Sequence, residues 1–234
     1  MVLAGLRSMI WNIAEKKMSR EIYLIALVCL FSAFASCGKT GKEKYFTGTI
    51  EYAYSYTSDS LNADSLARVR PAKGSFRYDT INYQSQFIGQ DTETYYYSGV
   101  RNKCLQETHS LINFLCIDYN GVTDSVLSTS LYDTDEKVLG YSCKILEMQK
   151  SNSWVKYYVS NELKIAPATY EKHKSYNWDI YGEKANGGLI LKSEHRFKNF
   201  VMKGVATNVK AYPGDFSALE MDEKRMDEMC NAKN

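Results

Sequence analysis

Apolar and polar residues alternate with a period of two through most of the chain beyond residue 45. The alternation is clearest over 46–57, where every second position is aromatic, apolar or glycine and the positions between are mostly polar. This spacing predicts a strand with one buried face and one solvated face. Similar but weaker stretches predict further strands, about ten in all. They are 75–89, 92–98, 100–108, 111–119, 122–132, 137–149, 154–160, 189–197 and 200–212.

The turns between these stretches predict antiparallel strands joined in hairpin order. Asn120-Gly121 is the dipeptide most typical of a tight hairpin, and the acidic run 133–136 predicts the next turn. The segment 161–187 interrupts the strand pattern, and within it 168–176 is predicted as a helix. So many sequential antiparallel strands must curl. We therefore expect a mainly β (α+β) fold, a curled antiparallel sheet or incomplete β-barrel of about ten strands with a helical insertion.

An apolar run at 22–35 differs from everything that follows it. Three basic residues precede it, and a serine and Cys37 end it. Its 14 residues would rise only about 21 Å as a helix, which is short of the bilayer core, so the run predicts an export signal. The position of Cys37 resembles a bacterial lipobox, in which the thiol is acylated with chains such as palmitate. The alternatives are an N-terminal anchor helix and a secretory signal cut elsewhere.

The signal sets the predicted organisation: a signal peptide at 1–36, a lipidated tether at 37–45 and a single β-rich domain at 46–234. Met18 would begin a signal of ordinary length and is the alternative start. The chain has 29 basic and 27 acidic residues, of which 1–36 hold four and two. The remainder is balanced at 25 of each, so nucleic acid is not expected as a partner.

Residues beside the lipobox predict where the protein resides. Gly38 is not the aspartate that retains lipoproteins in the inner membrane, and the residues after Cys37 are basic. By resemblance to other lipoproteins, we expect a cell-envelope protein of the outer membrane that faces the periplasm. The N-terminal lipid would attach it to the membrane.

Four cysteines remain in the predicted mature chain, in a compartment expected to be oxidising. Four cysteines allow three connectivities. A hairpin centred near residue 110 favours Cys104–Cys116, which leaves Cys143–Cys230 to fix the C-terminal tail. Buried or unpaired thiols are the alternative. No cysteine or histidine spacing predicts a zinc site, and no metal is expected.

Catalytic motifs are not apparent in the sequence. His109, His173 and His195 are far apart, and His195 shares a predicted strand face with apolar residues, which favours an inward-facing histidine over a ligand. The segment 140–144 lacks the second glycine of a nucleophile elbow. The residues from Asp118 onward supply too few oxygens for a calcium loop. We therefore expect a non-catalytic protein without a cofactor.

One surface motif predicts a modification. Asp59-Ser60-Leu61 and Asp64-Ser65-Leu66 resemble the acceptor used for O-glycosylation of exported proteins in Bacteroidetes, and both fall in a predicted exposed loop. Ser60 and Ser65 are the candidate sites. The alternative is an ordinary surface serine at each position.

The second half of the chain resembles a known family. The relevant segments are, in chain order, 138–144, the aromatic segment 154–159, Pro167 and 188–192. Their order resembles that of the GLPGLI family of Bacteroidetes and of related domains of unknown function. These families are grouped with the LolA/LolB-like lipoprotein carriers. The resemblance implies an incomplete antiparallel barrel wrapped on helices, with an apolar cavity that receives acyl chains in the carriers. It implies no catalytic residues.

Two functions remain open at this point. The first is a lipid-anchored protein that binds a lipid or other hydrophobic ligand inside the curled sheet. The second is a structural or interaction module of the envelope whose interior is filled by side chains. An apolar void of some hundreds of Å³ would favour the first, and a packed interior the second. The predicted cavity lining is Ile50, Tyr52, Tyr54, Leu139, Tyr141, Leu189, Leu191 and Phe197.

Overall fold

The computed structural model describes residues 44–108, 111–212 and 223–231. Within these ranges, eleven antiparallel strands form one sheet. The strands are β1 (Gly48–Thr57), β2 (Lys73–Tyr78), β3 (Asn82–Ile88), β4 (Thr92–Ser98), β5 (Lys103–Thr108), β6 (Leu111–Asp118), β7 (Val126–Val138), β8 (Tyr141–Lys150), β9 (Trp154–Lys164), β10 (Gly188–Arg196) and β11 (Val201–Ala211). The helices are α1 (Ala63–Val69), α2 (Trp178–Lys184) and α3 (Glu223–Asn231), with 3-10 turns at Pro167–Thr169 and Ser175–Asn177.

The sheet consists of two meanders joined at their ends. Strands β1 to β6 and strands β7 to β11 each pair in sequence order, and β1 pairs with β11 to unite them. The sheet order is β6-β5-β4-β3-β2-β1-β11-β10-β9-β8-β7. The predicted fold class, a mainly β curled antiparallel sheet with a helical insertion, is confirmed. The structure separates the predicted strand 75–89 into β2 and β3, so the strand number is eleven.

The two edge strands show that the sheet curls. Strands β6 and β7 lie at opposite edges of the sheet but are consecutive in the chain, joined by 119–125. The eight steps from Asp118 to Val126 reach at most about 29 Å, whereas ten inter-strand gaps of about 4.8 Å would hold the edges of a flat sheet about 48 Å apart, so the sheet must curl. Because β6 and β7 lie at opposite edges and do not pair, the prediction of a tight hairpin between them at Asn120-Gly121 was wrong. The Asp118 carboxylate accepts bonds from the Asn120 backbone at 2.8 Å and its amide at 2.6 Å, which closes a local turn without strand pairing.

Strand β1 carries the central part of the core, as its alternation predicts. Ile50 and Tyr52, on one face of the strand, are buried. Glu51 and Ala53, on the other face, are exposed. The Tyr54 ring lies between glycines of both neighbouring strands. A Cβ atom at Gly74 or at Gly204 would lie 2.8 Å from a carbon of that ring. Glycine at these two positions lets the aromatic ring approach the backbone, a device that supports strong curvature.

The helical insertion covers the inner face of the sheet but differs from the predicted helix at 168–176. Two 3-10 turns occupy that range, and the α-helix begins only at Trp178. Tyr176 and Asn177 have φ values of 58° and 64°, which no continuous right-handed helix permits. The result is a folded cover whose Tyr170 and Tyr181 are buried in the core.

The turn after β7 also differs from the prediction. The acidic run 133–136 lies inside β7 as an irregularity in its pairing with β8, opposite Lys144 to Ser142. The chain turns instead at Leu139-Gly140, where φ is 53° and 87°. Left-handed backbone at both central positions is the geometry of the tight hairpin turns that match strand twist.

Helix α3 packs on the outer face of the sheet near β6, and a disulfide joins Cys116 to Cys230. The predicted pairs Cys104–Cys116 and Cys143–Cys230 were wrong. Strand register gives the reason, because Cys116 lies opposite Leu105 and Cys104 lies opposite Ile117. Cys104 and Cys116 therefore point to opposite faces. Cys104 and Cys143 are buried free thiols.

Candidate functional site

A cavity of about 490 Å³ lies inside the curl of the sheet. Its walls come from strands in both meanders, mainly β3 and β4 on one side and β8, β9 and β10 on the other, with the insertion covering it. The lining residues are Phe76, Tyr83, Ser85, Phe87, Tyr95, Tyr119, Thr123, Asp124, Lys150, Asn152, Ser153, Val155, Tyr157, Tyr176, Trp178, His195, Phe197 and Met202.

Strand alternation explains why these side chains converge. Tyr83, Ser85 and Phe87 occupy alternate positions of β3, and Val155 and Tyr157 do so on β9. Alternate residues share one face of a sheet, so β3 contributes three side chains and β9 contributes two to the same wall. The curl turns the faces of β3 and β9 toward one interior.

Half of the lining residues, nine of the eighteen, are phenylalanine, tyrosine or tryptophan. Tyr157 stacks on Trp178 of α2 with ring centroids 6.4 Å apart, and Phe87 meets Tyr95 edge to face at 5.9 Å. These rings pack against each other rather than closing the space between the two sides. Aromatic walls with few polar groups are typical of sites that bind apolar ligands.

Two smaller cavities adjoin the main one through shared lining residues. One of about 150 Å³ shares Phe76 and Trp178 and extends to Tyr52 and Tyr54. The other, of about 130 Å³, shares Phe197 and Phe87 and extends to Tyr56, Arg70 and Phe200. Together they extend the apolar space from the insertion toward the β1 side of the sheet.

Exposed side chains mark where the main cavity meets solvent. Tyr176 is 61% exposed and Phe197 is 39% exposed, although both line the cavity. Asn152 and Thr123 at the polar end are also exposed. The mouth therefore has aromatic rings on part of its rim, where an apolar ligand entering from water would first make contact.

The polar end of the cavity contains Lys150, the last residue of β8. Leu146, Met148 and Lys150 alternate on the inward face, and Lys150 is only 6% exposed. Its Nζ donates to the backbone oxygen of Tyr176 at 3.1 Å. Burial lowers the pKa of the ammonium, and the charge of Asp124 opposes that change.

Asp124 is held by the β8–β9 turn. Its carboxylate accepts hydrogen bonds from the hydroxyls of Ser151 and Ser153, each at 2.6 Å, and from the backbone N–H of Asn152 at 2.9 Å. Burial by itself raises the pKa of Asp124, but these bonds outweigh it and hold that pKa below its usual value. The carboxylate thus fastens the 119–125 link to the turn.

His195 stands beside the aromatic wall, facing inward as predicted from its strand face. Its ring stacks on Phe197 with centroids 6.2 Å apart and meets Tyr157 edge to face at 5.4 Å. Burial, reinforced by the positive charge of Lys150, lowers the pKa of His195 to about 4. The imidazole is therefore neutral near pH 7.

A second histidine lies deeper, in a cluster of tyrosines. His173 is fully buried, and its Nε2 lies 2.9 Å from the hydroxyl of Tyr83. Its ring stacks on Tyr119 at 4.1 Å. Burial lowers the pKa of His173 to about 3. This histidine helps fix the insertion to the sheet.

Three of the predicted lining residues border these cavities. Phe197 lines the main cavity, Tyr54 lines both smaller ones and Tyr52 lines one of them. The Tyr52 hydroxyl donates to the backbone oxygen of Ile190 at 2.6 Å, which fixes its ring in place.

The other five predicted lining residues lie elsewhere. Ile50, Leu189 and Leu191 are fully buried in the packed core rather than on the main cavity wall. Tyr141 is half-buried and packs against that core. Leu139 is 48% exposed, because the hairpin turn falls on it, so its prediction was wrong.

Several of the most prominent wall residues escaped the sequence analysis. Lys150 had a detectable signal, since it continues the inward alternation of Leu146 and Met148. Trp178 and Phe87 had none, because their roles depend on strands and an insertion that are distant in the chain.

The remaining predicted sites have varied positions. Cys37 lies outside the described residues, so its acylation stays a prediction. Ser60 and Ser65 are both exposed, Ser60 in a loop and Ser65 in α1. In the described ranges no helix is long and apolar enough to cross a membrane.

No protein-family model and no curated protein matches the chain. Among solved structures, it is similar to PNGF-II, with a TM-score of 0.41 and 14% identity over 74% of this chain and 30% of that chain. It is also similar to LprF from Mycobacterium bovis, with a TM-score of 0.32 and 6% identity over 72% of this chain and 88% of that one. A third similar structure is a putative outer membrane lipoprotein-sorting protein domain from Vibrio parahaemolyticus. Its TM-score is 0.31, with 7% identity over 75% of this chain and 89% of that one.

The extent of these similarities limits what they establish. The chain spans less than a third of the length of that PNGF-II structure. TM-scores of 0.41 and below are low, so the description of the fold rests on the strand pairing itself. Membership of the GLPGLI family stays a prediction.

Proposed function

We propose that this protein is a lipid-anchored component of the cell envelope that binds a lipid or other hydrophobic ligand without transforming it. The observation that carries the proposal is the aromatic-walled cavity of about 490 Å³ inside the sheet. Protein interiors are normally close-packed, with few voids larger than a water molecule. A void of this size falls in the range of ligand sites and contrasts with a scaffold whose core is filled.

The apolar wall supplies the driving force for binding. Each methylene transferred from water into such a site contributes about 0.8 kcal/mol. An alkyl chain of about twelve methylenes therefore contributes about 10 kcal/mol before the cost of association, which is at least about 4 kcal/mol. A long single chain suits the space formed by the main cavity and the two smaller cavities that share lining residues with it.

Filling the cavity tests the proposal. Ser85 is 4% exposed and lines the main cavity from β3, so Ser85→Trp places an indole in the space that the ligand would occupy. Gln86→Trp is the matched control, since the next residue of the strand points to the opposite face. The full chain is purified from membranes, and its lipid extract is analysed by mass spectrometry.

The expected result is a stoichiometric lipid with the wild type and with Gln86→Trp, and its loss with Ser85→Trp. Folding of each variant is checked by circular dichroism. A wild-type extract without any ligand, or equal ligand content in both tryptophan variants, would favour the alternative of a structural module.

Attachment to the membrane is the second part of the proposal. It is supported by the apolar run at 22–35 and by the position of Cys37 directly after it. Acylation at Cys37 would hold the cavity at the periplasmic face of the outer membrane. Replacement Cys37→Ala is expected to abolish labelling by an alkyne analogue of palmitate and to shift the protein out of the outer-membrane fraction. Unchanged labelling would refute acylation at this residue.

A further inference from the structure

We propose that the ligand is a long-chain carboxylate, held with its carboxylate at the Lys150 ammonium and its alkyl chain along the aromatic wall. This inference rests on the proposed function, because it names the chemical class of the ligand for the same cavity. It follows from the one buried positive charge in the lining of the main cavity.

The ammonium of Lys150 has unused hydrogen-bonding capacity. It has three N–H donors, and one of them is directed to the Tyr176 carbonyl. Throughout the described part of the chain, no carboxylate lies within 4.0 Å of Nζ. Lys150 is buried as a residue, and a buried charge with so few hydrogen bonds is costly, so an anion in the cavity would offset that cost.

Asp124 does not fill this role, although it lines the same end of the cavity. Its oxygens already accept bonds from Ser151, Ser153 and Asn152, which direct them into the β8–β9 turn. The carboxylate is half-buried and keeps contact with solvent at the rim. It acts on Lys150 through space without a hydrogen bond.

The charge at this end suits a monoanion better than a phosphate. A phosphate monoester carries about −1.5 to −2 charges at pH 7 and is typically bound by several cationic donors, with arginine preferred for its fork. Lys150 is the single lysine or arginine in the main-cavity lining that the structure describes. His195 beside it is neutral at pH 7 and adds no charge. With the Asp124 carboxylate at the same end, one ammonium offers no surplus charge for a dianion.

The remainder of the lining specifies the tail. From Lys150 the wall continues through the aromatic rings of Tyr157, Trp178 and Phe87 to the smaller cavities, whose linings are mainly aromatic or apolar. A neutral lipid would fit this wall but leave the ammonium unpaired. A long-chain carboxylate satisfies both ends of the site.

Photoaffinity competition with the full chain tests this inference. The protein is purified from membranes in a sugar-based detergent, stripped of endogenous lipid, and labelled with a hexadecanoic acid that carries a diazirine near its terminal methyl group. Unlabelled hexadecanoic acid and its methyl ester then compete. The two competitors share the same chain and differ in charge, and the detergent is identical in every arm.

The expected result with the wild type is saturable labelling that the acid suppresses at a concentration at least tenfold lower than the ester. Lys150→Met keeps a straight apolar side chain and is expected to bring the acid and the ester within twofold of each other. Lys144→Met is the matched control from the same strand, where the lysine side chain is 42% exposed and paired with Asp133, and it should retain the wild-type preference. The comparison of acid with ester on the wild type needs no variant to fold.

Two outcomes would overturn the inference in different ways. Saturable labelling with equal competition by acid and ester would show that the cavity binds alkyl chains without recognising a carboxylate. That result would refute this inference and leave the proposed function intact. A preference for the acid that survives Lys150→Met would remove Lys150 as its origin. Labelling that neither competitor suppresses would refute the proposed function as well.

Discussion

The Cys116–Cys230 disulfide gives the sharpest stability prediction. It joins the edge strand β6 to α3 across a sequence separation of 114 residues. In the chain-entropy description, cross-linking a loop of this length removes about 16 cal/mol/K from the unfolded state, which corresponds to about 4.8 kcal/mol at 25 °C. Replacing both cysteines by serine is therefore expected to lower the free energy of unfolding by up to about 4.8 kcal/mol.

The contacts of α3 act in the same direction. Met226 of this helix is 1% exposed, and Asp227 forms an ion pair with Arg101. A short terminal helix is marginal alone, so its burial depends on being held against β6. Loss of the covalent link is expected to detach α3 at lower denaturant than it detaches the strands.

Urea unfolding, followed by tryptophan fluorescence and far-ultraviolet circular dichroism, measures the effect. With a slope of about 2 kcal/mol per molar urea, the midpoint of the Cys116→Ser/Cys230→Ser variant should fall by about 2 M. Dithiothreitol should move the wild type to the same midpoint and leave the double variant unchanged, which serves as the control. An unchanged midpoint in the variant would refute the loop argument, and a further decrease with reductant would show that another disulfide is present.

Three further predictions concern single groups. Burial raises the pKa of the Cys104 thiol to about 11 and also raises the pKa of the Cys143 thiol. Both thiols should therefore resist a thiol reagent in the native protein and react fully in guanidinium, as the increase in protein mass measured over time would show. His173, with a usual pKa of 6.5 and a folded pKa of about 3, takes up its proton first in the unfolded state, so its contribution to stability should fall by up to about 1.4 kcal/mol per pH unit from pH 6.5 to pH 4. His195, with a folded pKa of about 4, adds a similar contribution, so His173→Gln should reduce the slope in urea titrations by about half. Gly204→Ala forces a methyl group against an aromatic ring and should cost about 1–3 kcal/mol, whereas Gly121→Ala, with open space around it, should change stability by less than about 0.5 kcal/mol in the same assay.

Features set by local alternation were predictable from the sequence. Strand β1 begins and ends within two residues of the predicted range, because its alternating face is buried along most of its length. The Leu139-Gly140 turn was missed, since the acidic run 133–136 has the composition of a turn yet lies in a strand exposed at the sheet edge. Composition alone does not distinguish an exposed edge strand from a loop.

Features set by distant pairing were not predictable in this way. The disulfide follows from a register in which Cys116 opposes Leu105, and a shift of β6 by one residue would turn Cys116 to the opposite face. Lys150 was overlooked because lysine is nearly always solvent-exposed, so its inward strand position is informative only once β8 is known to face a cavity. Phe197 was identified correctly because its neighbours on one strand already mark the inward face.

The junction of the two meanders has a consequence for how the chain folds. Every other neighbouring pair of strands is also adjacent in sequence, but β1 meets β11 between Thr57 and Val201 at one end and Gly48 and Ala211 at the other. The paired residues are thus 144 to 163 positions apart. Local hairpins can form quickly within each meander, whereas this junction requires a long loop to close, and such high contact order slows folding. Since the cavity lies between the two halves, the ligand site comes into existence only at this late step.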